Sequence, residues 1–114
     1  MDLWGSWCGP CIKSMPKSEA LREKFKGEDG IVFLYVAVNE KSEDKWKAAI
    51  DKLNVEGVNL ISKDGKGSPF RNAYDTGFVP HYFLIDKEGK MADKEAKQPG
   101  KSGLEEDIRA LLSE

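Results

Sequence analysis

Cys8 and Cys11 are the only cysteines in the chain, and they stand two residues apart in Trp7-Cys8-Gly9-Pro10-Cys11. A cysteine pair at this spacing can be a redox dithiol, a structural bridge or half of a zinc site. A structural bridge acts by constraining the unfolded chain, and its effect grows with the loop it closes. A bridge across so short a span constrains almost nothing. A structural zinc site needs four ligands, yet there is no second cysteine pair and His81 is the only histidine. Disulfide exchange is the chemistry that fits: one thiolate attacks a disulfide, a mixed disulfide forms, and the second thiol resolves it. Cys8 is the expected attacker and Cys11 the resolver.

A free thiol with a pKa of about 8.5 is mostly protonated at neutral pH, so its surroundings must favour the anion. Met1-Asp2-Leu3-Trp4 reads as the end of a strand, Gly5-Ser6-Trp7 as a turn, and Ile12 to Phe25 as a helix. Pro10 suits a first helical turn, where a missing N–H costs nothing. Cys8 then meets the unpaired N–H groups and positive dipole end of that helix. Ile12, Met15, Leu21 and Phe25 form its apolar stripe, and Pro16 is expected to kink it.

Asp2 sits among Met1, Leu3 and Trp4 on a strand expected to be buried. Burial penalises the ionised carboxylate and raises its pKa. An acid raised towards neutrality can take the Cys11 proton as the mixed disulfide resolves. The alternative is a frayed, solvated terminal residue. Trp7 is expected beside the cysteines, shaping the substrate surface, with Trp4 a core residue. His81 is read either as a group tuning Cys8 or, the simpler account, as an exposed strand residue. Tyr82, Phe83 and Phe33 read as core aromatics.

The elements behind this site alternate. Ile31 to Val38 is apolar on both faces, the pattern of a central parallel strand covered on both sides by helices. Ser42 is placed to cap a helix whose Trp46, Ile50 and Leu53 fall on one side. Val58 to Ile61 reads as a short extended piece. Lys63 to Gly67 reads as a loop, with Ser68 and Pro69 opening a short helix through Tyr74 that Gly77 ends. His81 to Ile85 reads as a strand, Asp86 to Gly89 as a hairpin turn and Lys90 to Asp93 as the returning strand. Ser102-Gly103-Leu104-Glu105 has the form of a capping box before a last helix carrying Leu104, Ile108, Leu111 and Leu112. This is an α/β arrangement with a mixed sheet, parallel first and antiparallel last.

With 114 residues the chain has the size of one domain, 1–114. Its net charge is −2, with lysines interleaved among acids, so no nucleic-acid footprint is present. The eight-residue run from Ile31 to Val38 is too short to span a bilayer as a helix. Met1 leads straight into the strand, so the expectation is a part of a longer parent protein, with any targeting signal upstream.

The chain resembles the thioredoxin fold at four places. Trp4-Gly5-Ser6-Trp7-Cys8-Gly9-Pro10-Cys11 is similar to the thioredoxin active-site segment. Pro16, five residues after Cys11, matches the proline of the active-site helix, and Val79-Pro80 matches the cis-proline. Asp2, six residues before Cys8, matches the buried aspartate. Cys8 to Pro16, Phe83 to Gly89 and the segment around Trp46 lean towards the TlpA/ResA-like thiol-disulfide oxidoreductases. That branch often has a glutamate where Ser14 stands and a threonine where His81 stands.

The resemblance implies a three-layer fold with helices on both faces of a mixed sheet, and a first strand and helix missing from this chain. It implies disulfide reduction or exchange without a cofactor or metal. Cys8, Cys11 and Asp2 would be catalytic, with Trp7, Gly9, Pro10, Val79 and Pro80 contacting substrate. A cis Pro80 would hold Val79 beside the cysteines, where its backbone could pair with an extended substrate. The partners implied are disulfide- or dithiol-bearing proteins and a thiol electron donor. The chain would be a monomer in the periplasm or cell envelope, with the cytoplasm as alternative. An interaction module with little turnover is the competing function. A thiol peroxidase fits less well, because peroxidases resembling this fold carry a threonine where Gly5 stands.

Overall fold

The structure is a computed structural model that describes residues 1–62 and 78–114. The loop from Lys63 and the short helix expected between Ser68 and Gly77 lie outside the described residues. Four strands build the main sheet: β1 (Asp2–Trp4), β2 (Leu34–Ala37), β3 (Val58–Ile61) and β4 (His81–Tyr82). Their order is β3-β2-β1-β4, with β1 and β3 parallel to β2 and β4 antiparallel to β1. Among the described residues the helices are α1 (Gly9–Lys24), α2 (Glu43–Leu53) and α3 (Leu104–Leu112). None is long and apolar enough to cross a membrane.

The apolar run from Ile31 does supply the central strand, narrowed to Leu34–Ala37. Its two faces are covered differently. Trp4, Tyr35 and Ala37 pack with Cys8, Cys11 and Met15, and with Trp46, Ala49, Ile50 and Leu53 of α2. On the other face Leu3, Val36 and Val38 pack with Phe83 and Val79. Each fully buried aliphatic side chain here contributes about 1.5–3 kcal/mol by leaving water. The two faces of β1 therefore have different duties. Asp2 and Trp4 look towards α1, and Leu3 looks away.

Four expectations shift. Residues His81 to Ile85 do not form one strand. His81 and Tyr82 stay on the main sheet, while β5 (Leu84–Ile85) pairs antiparallel with β6 (Met91–Asp93) across an irregular register. The turn between them forms as read, with Asp86 Oδ1 accepting from the N–H groups of Glu88 and Lys90 at 2.9 Å. Second, the capping box at Ser102 does not form. Gly103 takes the N-cap position in a left-handed conformation with no side-chain bond, and Glu105 instead meets Lys24 and Arg109. Third, the sheet-facing stripe of α1 is Cys11, Met15 and Ser18, while Ile12 is 36% exposed. Fourth, His81 is buried rather than exposed.

Candidate active site

The turn from β1 into α1 is held from three sides. Trp7 lays its indole over Gly5, where any side chain would collide with it. The indole Nε1–H donates to the Val38 carbonyl at 2.9 Å. Glu40 accepts from the Ser6 N–H at 2.6 Å and from the Ser6 hydroxyl. Trp7 nevertheless stays half exposed. The Cys8 N–H then closes onto the Gly5 carbonyl at 3.1 Å, and Cys8 caps α1.

Cys8 and Cys11 are joined as a disulfide, with Cα atoms 5.2 Å apart. They are not equivalent. The Cys11 N–H donates to Cys8 Sγ at 3.2 Å, so Cys8 is the sulfur that the helix end stabilises as an anion. Cys11 is wholly buried and Cys8 is 5% exposed, with exposed Trp7, Gly9 and Pro10 around it. Across from Cys8, the Val79–Pro80 bond is cis and the Val79 carbonyl oxygen lies 3.9 Å from Cys8 Sγ. The residues expected to contact substrate thus gather around one sulfur.

Asp2 is not frayed. It is 7% exposed, and its Oδ1 has no hydrogen-bond partner. Burial pushes its carboxyl up from 3.8 to about 7, against the pull of the Met1 amine. That amine is itself lowered by burial and donates to the Phe83 carbonyl at 2.7 Å. The neighbours of Asp2 across the sheet are both tyrosines, Tyr35 on β2 and Tyr82 on β4. Ser14 donates to the Cys11 carbonyl at 2.9 Å and lies 3.0 Å from the Tyr82 hydroxyl. One turn later Ser18 meets the Tyr35 hydroxyl at 2.7 Å, which also accepts from Arg22 at 2.6 Å.

His81 has no part in the site. Paired with Leu3, it points to the face opposite Asp2, where its ring packs on Phe78 and Phe83 and its Nε2 meets the Lys94 carbonyl at 2.6 Å. The sequence reading missed Glu40 and undervalued Ser14 and Tyr82. Nothing local marks Glu40, because its partner Ser6 is 34 positions away. Ser14 and Ser18 did carry a signal: two small hydroxyls at i, i+4 on a helix that must face a sheet.

Comparison with known proteins agrees with this geometry. The thiol-disulfide oxidoreductase ResA of Bacillus cereus is 32% identical over 105 residues, 92% of this chain and 58% of that protein. The thioredoxin-like protein YneN of Bacillus subtilis is 27% identical over 93 residues, 82% of this chain and 52% of that protein. The chain thus spans 58% or less of the length of these two relatives. Among solved structures, a candidate thiol-disulfide oxidoreductase of Bacteroides vulgatus superimposes with a TM-score of 0.81 at 31% identity, covering 96% of this chain and 74% of that one. A thiol-disulfide oxidoreductase of Bacteroides fragilis gives 0.79 at 20% identity, covering 96% and 77%, a likeness of fold. The fold is thioredoxin-like, and the Redoxin family profile matches residues 1–112. With Cys8 and Cys11 bridged at the end of α1 and that match running almost end to end, the chain belongs to the Redoxin family.

Proposed function

We propose that this domain is a thiol-disulfide oxidoreductase that reduces or exchanges disulfides through Cys8 and Cys11. The observation that carries the reading is the asymmetric pair: Cys8 accepts an N–H bond at the helix start beside the Val79 carbonyl, and Cys11 is sealed beneath it. In the reduced protein the Cys8 thiolate attacks one sulfur of a substrate disulfide. A Cys8–substrate disulfide forms and a substrate thiolate leaves. Cys11 gives its proton to the Asp2 carboxylate and attacks Cys8 Sγ, which expels the second substrate thiolate. Two electrons have then passed to the substrate, and the Cys8–Cys11 bridge is the product. A thiol donor resets it by the reverse exchange.

Asp2 suits the proton transfer because a pKa of about 7 leaves both of its forms populated at neutral pH. The substrate is an extended segment of a protein, laid along the backbone of Val79 and Pro80 between Trp7 and Phe78. An extracytoplasmic setting, where disulfide-bearing proteins persist, fits this chemistry. A Gly-Pro pair between the cysteines resembles the reducing members, so the expected potential lies nearer about −270 mV than about −120 mV.

Insulin reduction with a dithiol donor tests the reading. Cys8→Ser should abolish turnover while the fold, read by circular dichroism, is unchanged. Turnover retained in Cys8→Ser would overturn it, and unchanged partner binding in the same variant would favour an interaction module.

A further inference from the structure

The turn from Gly5 to Cys8 delivers the first sulfur to the start of α1, and the Cys8 N–H closes it on the Gly5 carbonyl at 3.1 Å. The closing bond of such a turn joins its first and fourth residues, so the N–H groups of the two between need other partners. At Ser6 both donors go to one side chain. The Ser6 N–H donates to Glu40 Oε2 at 2.6 Å, and the Ser6 hydroxyl donates to Oε1 of the same carboxylate.

Glu40 reaches the turn because β2 ends beside it. The Val38 N–H donates to the Trp4 carbonyl at 2.9 Å, and the Val38 carbonyl accepts the Trp7 indole N–H. Asn39 then takes a left-handed conformation, with φ at 54°, and Glu40 follows. Val38 and Glu40 thus hold both middle residues of the turn. The Trp7 tether acts through a side chain, whereas the Glu40 tether grips the main chain. The geometry of Cys8 depends on that main chain. Cys8 caps α1 with φ −97° and ψ 108°, and in this conformation its Sγ accepts the Cys11 N–H at 3.2 Å. A turn that shifted would carry Sγ away from the helix end.

We propose that Glu40 is a positioning residue for Cys8: by binding both donors of Ser6 it fixes the turn, and the turn holds Cys8 Sγ where the Cys11 N–H meets it. This rests on the proposed role of Cys8 as the attacking thiolate. The carboxylate has two opposed effects on that thiolate. Its charge repels the sulfur anion, while its grip on Ser6 preserves the hydrogen bond that favours the anion. Glu40 is only partly buried, so solvent and salt screen the charge, and the grip is the larger effect.

Glutamine separates the two. Its amide oxygen accepts the Ser6 N–H and its NH2 donates to the Ser6 hydroxyl, which can act as acceptor as well as donor. Glu40→Gln therefore removes the charge and keeps both bonds, whereas Glu40→Ala removes all three. The measurement is the pH profile of iodoacetamide alkylation of the reduced protein, with modified Cys8 followed by peptide mass spectrometry. Glu40→Ala should raise the Cys8 midpoint by at least about half a pH unit, roughly a threefold loss of thiolate below the midpoint. Glu40→Gln should show no rise. Ser6→Ala keeps the N–H bond and loses the hydroxyl bond, so its rise should be smaller than that of Glu40→Ala. Adding Ser6→Ala to Glu40→Ala should change nothing further. A turn contact with no bearing on Cys8 predicts lower stability in Glu40→Ala with the midpoint unmoved. An unmoved or lowered midpoint in Glu40→Ala, or an equal rise in Glu40→Gln, would overturn the proposal. Alkylation needs no substrate disulfide, so this result and the insulin assay fail independently.

Discussion

At the scale of single residues, the two sulfurs differ by one hydrogen bond and a few per cent of exposure, and the proposed order of reaction rests on that difference. Cys8 receives the Cys11 N–H and borders solvent, whereas Cys11 is wholly enclosed. In the proposed reaction a substrate disulfide therefore meets Cys8 first. Cys11→Ser should stop the reaction halfway, accumulating a covalent adduct between Cys8 and a substrate cysteine that dithiothreitol releases. Cys8→Ser should give no adduct. Non-reducing gel electrophoresis separates the outcomes, and adducts of equal yield in both variants would contradict the assignment. This pair was legible from its spacing alone, because so few uses suit a dithiol two residues apart. The neighbours of Asp2 were not legible. Tyr82 read as an ordinary core aromatic, since which face of the sheet it shares depends on pairing with a strand 80 positions earlier.

At the scale of elements, local signals succeeded where they were backed by packing. Ser42 caps α2 as its position foretold, its hydroxyl accepting from the Lys45 N–H at 3.1 Å. Ser102 has the same chemistry and an acid three residues on, yet Gly103 occupies the cap at φ 98° and Glu105 is drawn to Lys24 and Arg109. Glu105 is thus engaged in ion pairs where the capping box would need it. Ser42→Ala should cost about 1 kcal/mol of stability, within a range of about 0.5–2. Ser102→Ala should fall within about 0.5 kcal/mol of no change. Urea denaturation of the two variants checks the contrast, and equal losses would restore the box. The segment from His81 to Ile85 shows the same limit. Its composition reads as one strand, but its ends serve different sheets. His81 and Tyr82 lie against β1, which sets Tyr82 opposite Asp2, while Leu84 and Ile85 follow the hairpin to β6.

At the scale of the whole molecule, the buried acid on β1 is a standing burden on the fold, and pH exposes it. In the unfolded chain Asp2 titrates near its ordinary value of 3.8, whereas in the folded chain burial holds it at about 7. Below about pH 4 both states carry the proton and Asp2 makes no difference. Between the two values the unfolded chain has released a proton that the folded chain keeps, so stability falls as pH rises, by about 1.4 kcal/mol per unit from this group alone. The loss levels off above the folded value, at a total of about 4 kcal/mol. That is a large part of the 5–15 kcal/mol typical of a domain. Asp2→Asn removes the titration and leaves a buried amide that costs about 1–3 kcal/mol if unpaired. The variant should therefore be less stable than the unaltered chain at pH 4 and more stable by about 1–3 kcal/mol at pH 8. Urea denaturation of both proteins at the two values decides it. Stability curves that run parallel across this range would place Asp2 in water, and with it would go the proton route of the resolving step.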